Sequence, residues 1–285
     1  MRHLWDVSGE YDLVHCHNEP DTYTVAALAG EAPVVHDTHD MISLRDGESR
    51  LAFFEGIANR GAAGRIYTTP EQMSIAEDMY GVGEPSVVVE NYVSEPDIPR
   101  LGLPKLSASD GQIHVVYQGG IGGPSHRDFG EYLLALASEG IHVHIYPTRW
   151  NDAVARVFES EPLIHFEHPV SPSDIMRTMT QYDAGLIPFC ITVDNRAFLD
   201  STMANKLFEY IAAGIPVVAS DLKTYRRFFT QYPVGKTFHG DDDIAAAVRE
   251  VIGLKVEECV DIREMTYESS IGRVLTLYDK ILRAK

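Results

Sequence analysis

The chain has 285 residues, 45% of them hydrophobic, and its 24 basic and 42 acidic side chains give a formal net charge of −18. This length favours two domains, and the composition is that of a globular protein that can bury a core. Nonspecific binding to nucleic acid depends on lysine and arginine neutralising phosphates, so the acidic balance argues against nucleic acid as a partner.

The cysteines and the N-terminal segment indicate where the protein works. Cys16, Cys190 and Cys259 lie far apart and match no metal-binding spacing, which favours free thiols in a reducing compartment. The first residues lack the apolar core of a signal peptide, and no apolar run approaches the roughly 20 residues that span a bilayer. We therefore expect a cytoplasmic protein, and peripheral association with a membrane stays open.

Short β-branched runs alternate with helical patterns along the chain, which predicts parallel sheets with helical crossovers. Before a proline-rich segment, the predicted strands are residues 12–15, 33–36, 65–68 and 86–89, and the helices are 22–29, 50–61 and 70–80. After that segment, the predicted strands are 114–118, 142–146, 163–166, 184–188 and 216–219, and the helices are 128–139, 152–159, 172–182, 205–213, 243–251 and 269–283.

This order predicts an α/β protein with two Rossmann-like domains in tandem. The expected division is a first domain over residues 1–95, a linker over 96–112, a second domain over 113–268 and a C-terminal helix over 269–285. Only four strands precede the linker, so we expect the first domain to be incomplete. A partner or self-association is then expected to cover the exposed sheet edge.

The stretch NKLFEYIAAGIPVVAS, residues 205–220, predicts a helix followed by a buried strand. Asn205 fits the N-cap, and Gly214 fits the left-handed residue that ends a helix. Lys206 and Glu209 then lie in the first turn, where backbone N–H groups and the helix dipole favour an anion. Lys206 adds a full charge for phosphate, and Glu209 can accept hydrogen bonds from a vicinal diol. The residues alone leave open a simpler interpretation, in which Glu209 only favours the dipole and pairs weakly with Lys206.

A glycine-rich loop follows the strand predicted at residues 114–118. Gly119 and Gly120 can bring backbone N–H groups close to a diphosphate, and Arg127 offers a forked cation for phosphate oxygens. The loop is no dinucleotide fingerprint, because GGIGGP places a proline where that helix would begin. A flexible loop with a solvated arginine is the alternative that these residues leave open.

Several histidines stand near predicted strand ends in the first domain. His15, His17 and His36 alternate with branched apolar residues and lack a spacing of two histidines and one carboxylate, so we expect no metal site. His39 follows the strand at residues 33–36, and taken alone it favours a structural role.

Taken together, these segments resemble the retaining glycosyltransferase family 4, which has the GT-B fold. NKLFEYIAAGIPVVAS is similar to the helix and strand of its sugar-donor site, and VVHDTHD resembles a strand ending in a histidine near the reacting sugar. VVYQGGIGGPSHRDFGEYLLAL resembles the first strand, glycine loop and helix of the nucleotide domain. YDLVHCH, VVVENYVSEPD and PVSPSDIMRTMTQYDAGLIPF are similar to further segments in the same order, so the resemblance covers nearly the whole chain.

The resemblance implies a hexosyltransferase-like enzyme that moves a sugar from a nucleotide diphosphate to an acceptor hydroxyl, with retention and without an obligatory metal or a cofactor. It also implies a place in polysaccharide or glycoconjugate biosynthesis, and leaves open whether the acceptor is a glycan, a lipid-linked compound or a small molecule. The residues that it implies are His39 and Asp40 for catalysis, with Asp40 orienting His39, and Gly119, Gly120, Arg127, Asn205, Lys206 and Glu209 for the sugar donor.

The chain also departs from the family pattern. The family often carries a second glutamate before the one at Glu209, where this chain has Ser201 with Asp200 beside it. Two alternative functions therefore stay open. One is a non-catalytic nucleotide-sugar-binding or assembly subunit, which the short first domain favours. The other is a nucleotide-sugar 2-epimerase, for which His39, Asp40 and Asp194 are the candidate acid–base groups.

Overall fold

The computed structural model describes residues 9–47, 50–122 and 125–284. The chain divides into two compact units. Unit 1 comprises Met1–Asn91, Val193–Met203 and Glu268–Lys285, and unit 2 comprises Tyr92–Thr192 and Ala204–Tyr267. Within the described ranges, no helix is long and apolar enough to cross a membrane.

The strands of the described residues form two sheets, and every pairing is parallel. In chain order they are β1 (Val14–His17), β2 (Val34–Thr38), β3 (Gly64–Tyr67), β4 (Ser86–Val88), β5 (His114–Gly119), β6 (His142–Pro147), β7 (Ile164–Phe166), β8 (Ala184–Ile187), β9 (Val217–Ser220) and β10 (Gly235–Phe238). Unit 1 has the order β1-β2-β3-β4, and unit 2 has the order β10-β9-β8-β5-β6-β7. The predicted α/β class with parallel sheets is confirmed.

The helices connect the parallel strands, as such pairing requires. In chain order they are α1 (Thr22–Ala27), α2 (Ile42–Arg45), α3 (Arg50–Gly61), α4 (Pro70–Tyr80), α5 (Ser107–Asp110), α6 (Gly130–Ser138), α7 (Asp152–Val157), α8 (Pro172–Met179), α9 (Arg196–Leu199), α10 (Lys206–Ala212), α11 (Lys223–Gln231), α12 (Ile244–Val251), α13 (Val256–Cys259) and α14 (Tyr267–Arg283). Strand β10, helix α11 and the four-residue helices α2, α5, α9 and α13 were not among the predicted elements.

The stretch expected as a linker, residues 96–112, lies within unit 2. The Leu103 N–H donates to Thr180 Oγ1 at 2.8 Å, and the Ser107 hydroxyl donates to Asp183 Oδ1 at 2.6 Å. The Leu106 N–H donates to the carbonyl of Gln181 at 3.0 Å. These bonds attach the stretch to the segment just before β8.

Helix α14 belongs almost wholly to unit 1, although it directly follows unit 2 in the chain. Its buried side chains Val274, Leu277 and Ile281 pack against Val35 of β2 and Ile66 of β3. The separate C-terminal helix of the sequence analysis is therefore part of the core of unit 1. The core of unit 2 is larger, and it gathers apolar residues from β5, β6, β8, α6 and α12.

Candidate functional site

A cavity of about 440 Å³ opens in unit 2 where β5 ends and α10 begins. This is the carboxyl end of a parallel strand, where α/β folds place ligands. Six of the eight sequence-predicted site residues line it: Gly119, Gly120, Arg127, Asn205, Lys206 and Glu209. Tyr146, Pro147, Thr148, Val170, Pro172 and Ile175 contribute further lining.

Helix α10 is held on the sheet by a tyrosine that packs on a glycine. A Cβ atom at Gly185 of β8 would lie 2.3 Å from Tyr210 Cδ2, so only a residue without a side chain allows this approach. The Tyr210 hydroxyl accepts the N–H of Gln118 at 3.1 Å and lies 3.3 Å from the carbonyl of Leu186. Gly214 ends the helix with φ +70°, which confirms its predicted left-handed conformation. The first turn of α10 is therefore fixed beside the end of β5.

Lys206 reaches from α10 to the glycine loop. Its Nζ lies 4.3 Å from the centre of the Tyr117 ring, a cation–π distance. A Cβ at Gly119 would lie 3.1 Å from the same Nζ, and Gly119 has φ +126°, in the region that favours glycine. Glycine at this position therefore leaves space for the ammonium group against the loop backbone.

Arg127 approaches the same loop from the other side. A Cβ at Gly120 would lie only 2.5 Å from Arg127 Nη1, so the guanidinium rests against the loop backbone. The Tyr117 hydroxyl donates to the carbonyl of Gly120 at 2.5 Å, and the Gly122 N–H donates to the carbonyl of Arg127 at 3.3 Å. Lys206 and Arg127 thus line one cavity.

Glu209 lies one helical turn beyond Lys206 and faces the end of β5, where Gln118 Nε2 donates to its Oε2. Burial raises the pKa of Glu209, and the neighbouring ammonium of Lys206 opposes that rise. Burial lowers the pKa of Lys206 to about 8, with Glu209 opposing the change and Arg127 adding to it. The cavity therefore holds two partly buried charged groups, Lys206 and Glu209, beside the exposed Arg127, and an anionic ligand would stabilise the Lys206 ammonium.

Asn205 lines the cavity, but it does not cap α10 as predicted. Its backbone is already helical, with φ −51° and ψ −38°, and its side chain makes no capping hydrogen bond. A capping side chain requires extended backbone at the N-cap, so the predicted role is wrong in its geometry. The preceding Ala204 N–H donates instead to the Tyr225 hydroxyl at 3.0 Å.

The two predicted catalytic residues, His39 and Asp40, follow β2 in unit 1. The backbone of His39 is fixed, since its N–H donates to Asn18 Oδ1 at 2.7 Å and its carbonyl accepts from Gln72 Nε2 at 3.0 Å. Its side chain is 50% exposed. The Asp40 carboxylate lies 3.7 Å from Arg45 Nη1, and burial raises its pKa.

The ring of His39 contacts two further side chains of unit 1. Its Nε2 lies 3.2 Å from His17 Nδ1 and 3.8 Å from Asp37 Oδ2. Strands β1 and β2 bring His17 and Asp37 to this ring, and the orienting role of Asp40 stays a prediction. The same strands place His15, His17 and Asp37 together, with ligand atoms within 4.8 Å of one another. Two histidines and one carboxylate thus meet in space, although the sequence spacing showed no such set.

His36 and Asp200, two further residues from the sequence analysis, have other partners in unit 1. His36 is fully buried, and its Nδ1 lies 2.8 Å from Thr24 Oγ1. Burial lowers the pKa of His36 to about 4, so it stays neutral at ordinary pH. Asp200 forms an ion pair with Arg196 at 3.3 Å.

Among the site residues that sequence reasoning missed, Tyr117 and Gln118 contact predicted ones. Each contacts a predicted site residue, Tyr117 the ammonium of Lys206 and Gln118 the carboxylate of Glu209. Their signal was present, because two polar side chains directly before a glycine pair at the end of a buried strand are suited to a ligand site. Their partners on α10 are distant in sequence, so only the fold identifies the contacts.

Comparison with known proteins places this geometry in a family. The family described as glycosyl transferase-like matches residues 127–269, half of the chain. The chain therefore belongs to the glycosyl transferase-like family and is a glycosyltransferase. No curated protein matches it by sequence.

Solved structures show the same fold across the whole chain. Sucrose-phosphate synthase from Thermosynechococcus elongatus superposes with a TM-score of 0.70 at 13% identity, covering 97% of this chain and 75% of its own. The UDP-forming α,α-trehalose-phosphate synthase from Burkholderia xenovorans superposes with a TM-score of 0.69 at 11% identity. The match covers 98% of this chain and 80% of the synthase. HepE from Anabaena superposes with a TM-score of 0.64 at 17% identity, and the match covers 99% of this chain and 80% of HepE. At such low identities the superpositions show the fold alone, which is GT-B.

Proposed function

We propose that the protein transfers a sugar from a nucleotide-diphosphate sugar to an acceptor hydroxyl, with the sugar donor bound in the cavity of unit 2. The observation that carries this proposal is the meeting of two cations, a glycine loop and a half-buried carboxylate in one cavity. The HepE structures contain UDP-glucose or UDP with glucose, which supports a donor of this class.

Each group has a role that its chemistry supports. The Lys206 ammonium and the Arg127 guanidinium neutralise the diphosphate, and the backbone at Gly119 and Gly120 lets it approach closely. Because negative charge grows on the departing diphosphate during transfer, these fixed cations stabilise the transition state more than the ground state. Glu209 accepts hydrogen bonds from the ribose hydroxyls, and Gln118 holds its carboxylate. The apolar side chains of the cavity lining give the nucleobase a face to pack on.

In unit 1 we propose His39 and Asp40 as the catalytic candidates, acting on the transferred sugar or the acceptor. A fixed backbone and a half-exposed ring support this role for His39. Retention of the anomeric configuration follows from the resemblance to family 4. The charge neutralisation that other glycosyltransferases obtain from a metal ion is assigned here to Lys206 and Arg127.

A thermal-shift panel of UDP-, GDP-, ADP- and CDP-sugars tests the donor class and identifies the base. The donor that raises the melting temperature most is then titrated by calorimetry into the wild type, Glu209→Ala and Glu250→Ala. Hydrogen bonds to a charged group contribute about 1.5–3 kcal/mol each, so losing Glu209 should weaken donor binding about 10- to 100-fold with the fold intact.

Glu250 is the matched control, because its exposed carboxylate pairs with Lys236 on β10, outside the cavity lining. Glu250→Ala should leave donor affinity unchanged, and an equal loss in both variants would refute the role of Glu209. Release of the nucleoside diphosphate only when an acceptor hydroxyl is present would establish transfer. Donor binding without release over a broad acceptor screen would instead indicate a non-catalytic subunit.

A further inference from the structure

A cluster of ligating side chains lies in unit 1. It consists of His15 and His17 on β1 and Asp37 on β2. His17 Nδ1 lies 2.8 Å from Asp37 Oδ2, and His15 Nε2 lies 3.2 Å from the same oxygen. The Asp37 carboxylate is 11% exposed, and these partners are ring nitrogens that carry charge only when protonated. A carboxylate this well buried calls for a cation beside it.

The spacing of the ligand atoms fits a tetrahedral metal ion. Zinc bonds of about 2.0–2.1 Å at tetrahedral angles place neighbouring ligand atoms about 3.3 Å apart. The contacts from Asp37 Oδ2 to His17 and His15 are 2.8 and 3.2 Å. The rings of His15 and His17 stack with centroids 4.4 Å apart, so a shared metal needs one ring to turn toward the ion.

An outer contact orients one of these ligands. His15 Nδ1 lies 2.6 Å from the Tyr278 hydroxyl of α14. When Nδ1 donates to that oxygen, Nε2 keeps its lone pair and faces the other ligand atoms, which is the metal-binding form of imidazole. Metal-ligating histidines generally hold their second nitrogen in this way.

From this geometry we propose that His15, His17 and Asp37 bind a divalent transition-metal ion, with the fourth position left to water. Two imidazoles with one carboxylate form a nitrogen-rich set that suits Zn²⁺, whereas Mg²⁺ prefers oxygen ligands in octahedral geometry. The proposal revises the expectation of no metal site. It does not depend on the proposed function, since binding is measured without sugar donor or acceptor.

The test uses the full chain, freed of any polyhistidine tag and treated with a chelator. Titration with Co²⁺ should give the intense visible absorption of a tetrahedral site at one equivalent, and Zn²⁺ should abolish it by displacement. Zn²⁺ alone should raise the melting temperature, because it binds the folded chain and not the unfolded one. Mg²⁺ should neither displace Co²⁺ nor raise the melting temperature. Absence of the cobalt spectrum in the wild type would overturn the proposal.

Variants locate the metal. His17 is 63% exposed, so His17→Ala should fold normally and lose the cobalt spectrum, and Asp37→Asn should also lose it. Tyr278→Phe removes only the outer contact and should weaken affinity about 10- to 100-fold. Binding that survives in both His17→Ala and Asp37→Asn would refute the assignment.

The chain offers a matched control in its other histidine cluster, in unit 2. His142 Nδ1 lies 2.9 Å from His165 Nε2 there, and Asp110, His114 and His142 also group their ligand atoms within 4.8 Å. His142→Ala and His165→Ala should leave the stoichiometry and the spectrum unchanged. Loss of the signal in these variants, with retention in His17→Ala, would place the metal in unit 2 and overturn the proposal.

Discussion

The pH dependence of donor binding follows from the environment of Lys206. Burial lowers its pKa in the free protein to about 8, and phosphates bound beside it would raise that pKa again. The complex then holds the proton more tightly than the free protein does. Affinity is therefore complete below pH 8 and is lost as the pH rises through that value.

The size of the loss in affinity follows from the fraction of Lys206 that is protonated at each pH. With a pKa of about 8, the ammonium form is about 90% populated at pH 7 and about 10% at pH 9, so affinity should fall about tenfold between them. Terminal phosphates titrate at about pH 6, so they are already about 90% ionised at pH 7 and change little over this range. Calorimetric titration of the nucleoside diphosphate at pH 7, 8 and 9 in buffers of different ionisation enthalpy measures both the affinity and the proton uptake.

Lys206→Met is the control, because it keeps an unbranched stem beside Tyr117 and removes the charge. It should bind about 10- to 100-fold more weakly at pH 7, which is the contribution of a charged hydrogen bond, and should lose the pH dependence. A wild type whose affinity stays constant from pH 7 to 9 would refute the reasoning. A slope that persists in Lys206→Met would refute it equally.

Two glycine substitutions test the packing that forms the cavity. Gly120→Ala would place a Cβ 2.5 Å from Arg127 Nη1, so the guanidinium should move and calorimetry should show weaker diphosphate binding without a change in melting temperature. Gly185→Ala would place a Cβ 2.3 Å from the Tyr210 ring and should cost about 1–3 kcal/mol of unfolding free energy by overpacking, measured with urea. Gly272→Ala, where nothing lies within 4 Å of the added Cβ, is the matched control and should not destabilise the protein. Wild-type diphosphate affinity in Gly120→Ala, or equal stability of Gly185→Ala and Gly272→Ala, would contradict this packing.

Local sequence patterns were sufficient to predict most strands of the fold. Each of the nine predicted strands has a counterpart in the structure, because compact β-branched runs between turn residues specify buried strands. Strand β10, Gly235–Phe238, escaped prediction because its sequence GKTF offers little apolar signal. Helix α11 begins with Lys223 and carries two adjacent arginines, and its buried face rests on Thr224, Tyr225 and Phe228. That face is recognisable only once the sheet is known.

The candidate site likewise has contacts that the sequence could predict and contacts that only the fold reveals. Lys206 and Glu209 share one helical turn, so the sequence alone could place them together. The bond between Gln118 and Glu209 joins residues 91 apart, and the cluster of His15 and Asp37 joins two strands. Such contacts depend on strand order and register, which the sequence pattern does not specify.

A crystal structure of the protein with the bound nucleoside diphosphate tests the central claim most directly. The account predicts density for the diphosphate between Lys206, Arg127 and the Gly119–Gly120 backbone, with the ribose hydroxyls on the Glu209 carboxylate. A nucleotide bound elsewhere while this cavity stays empty, or a ribose that leaves Glu209 bound only to Gln118, would contradict it.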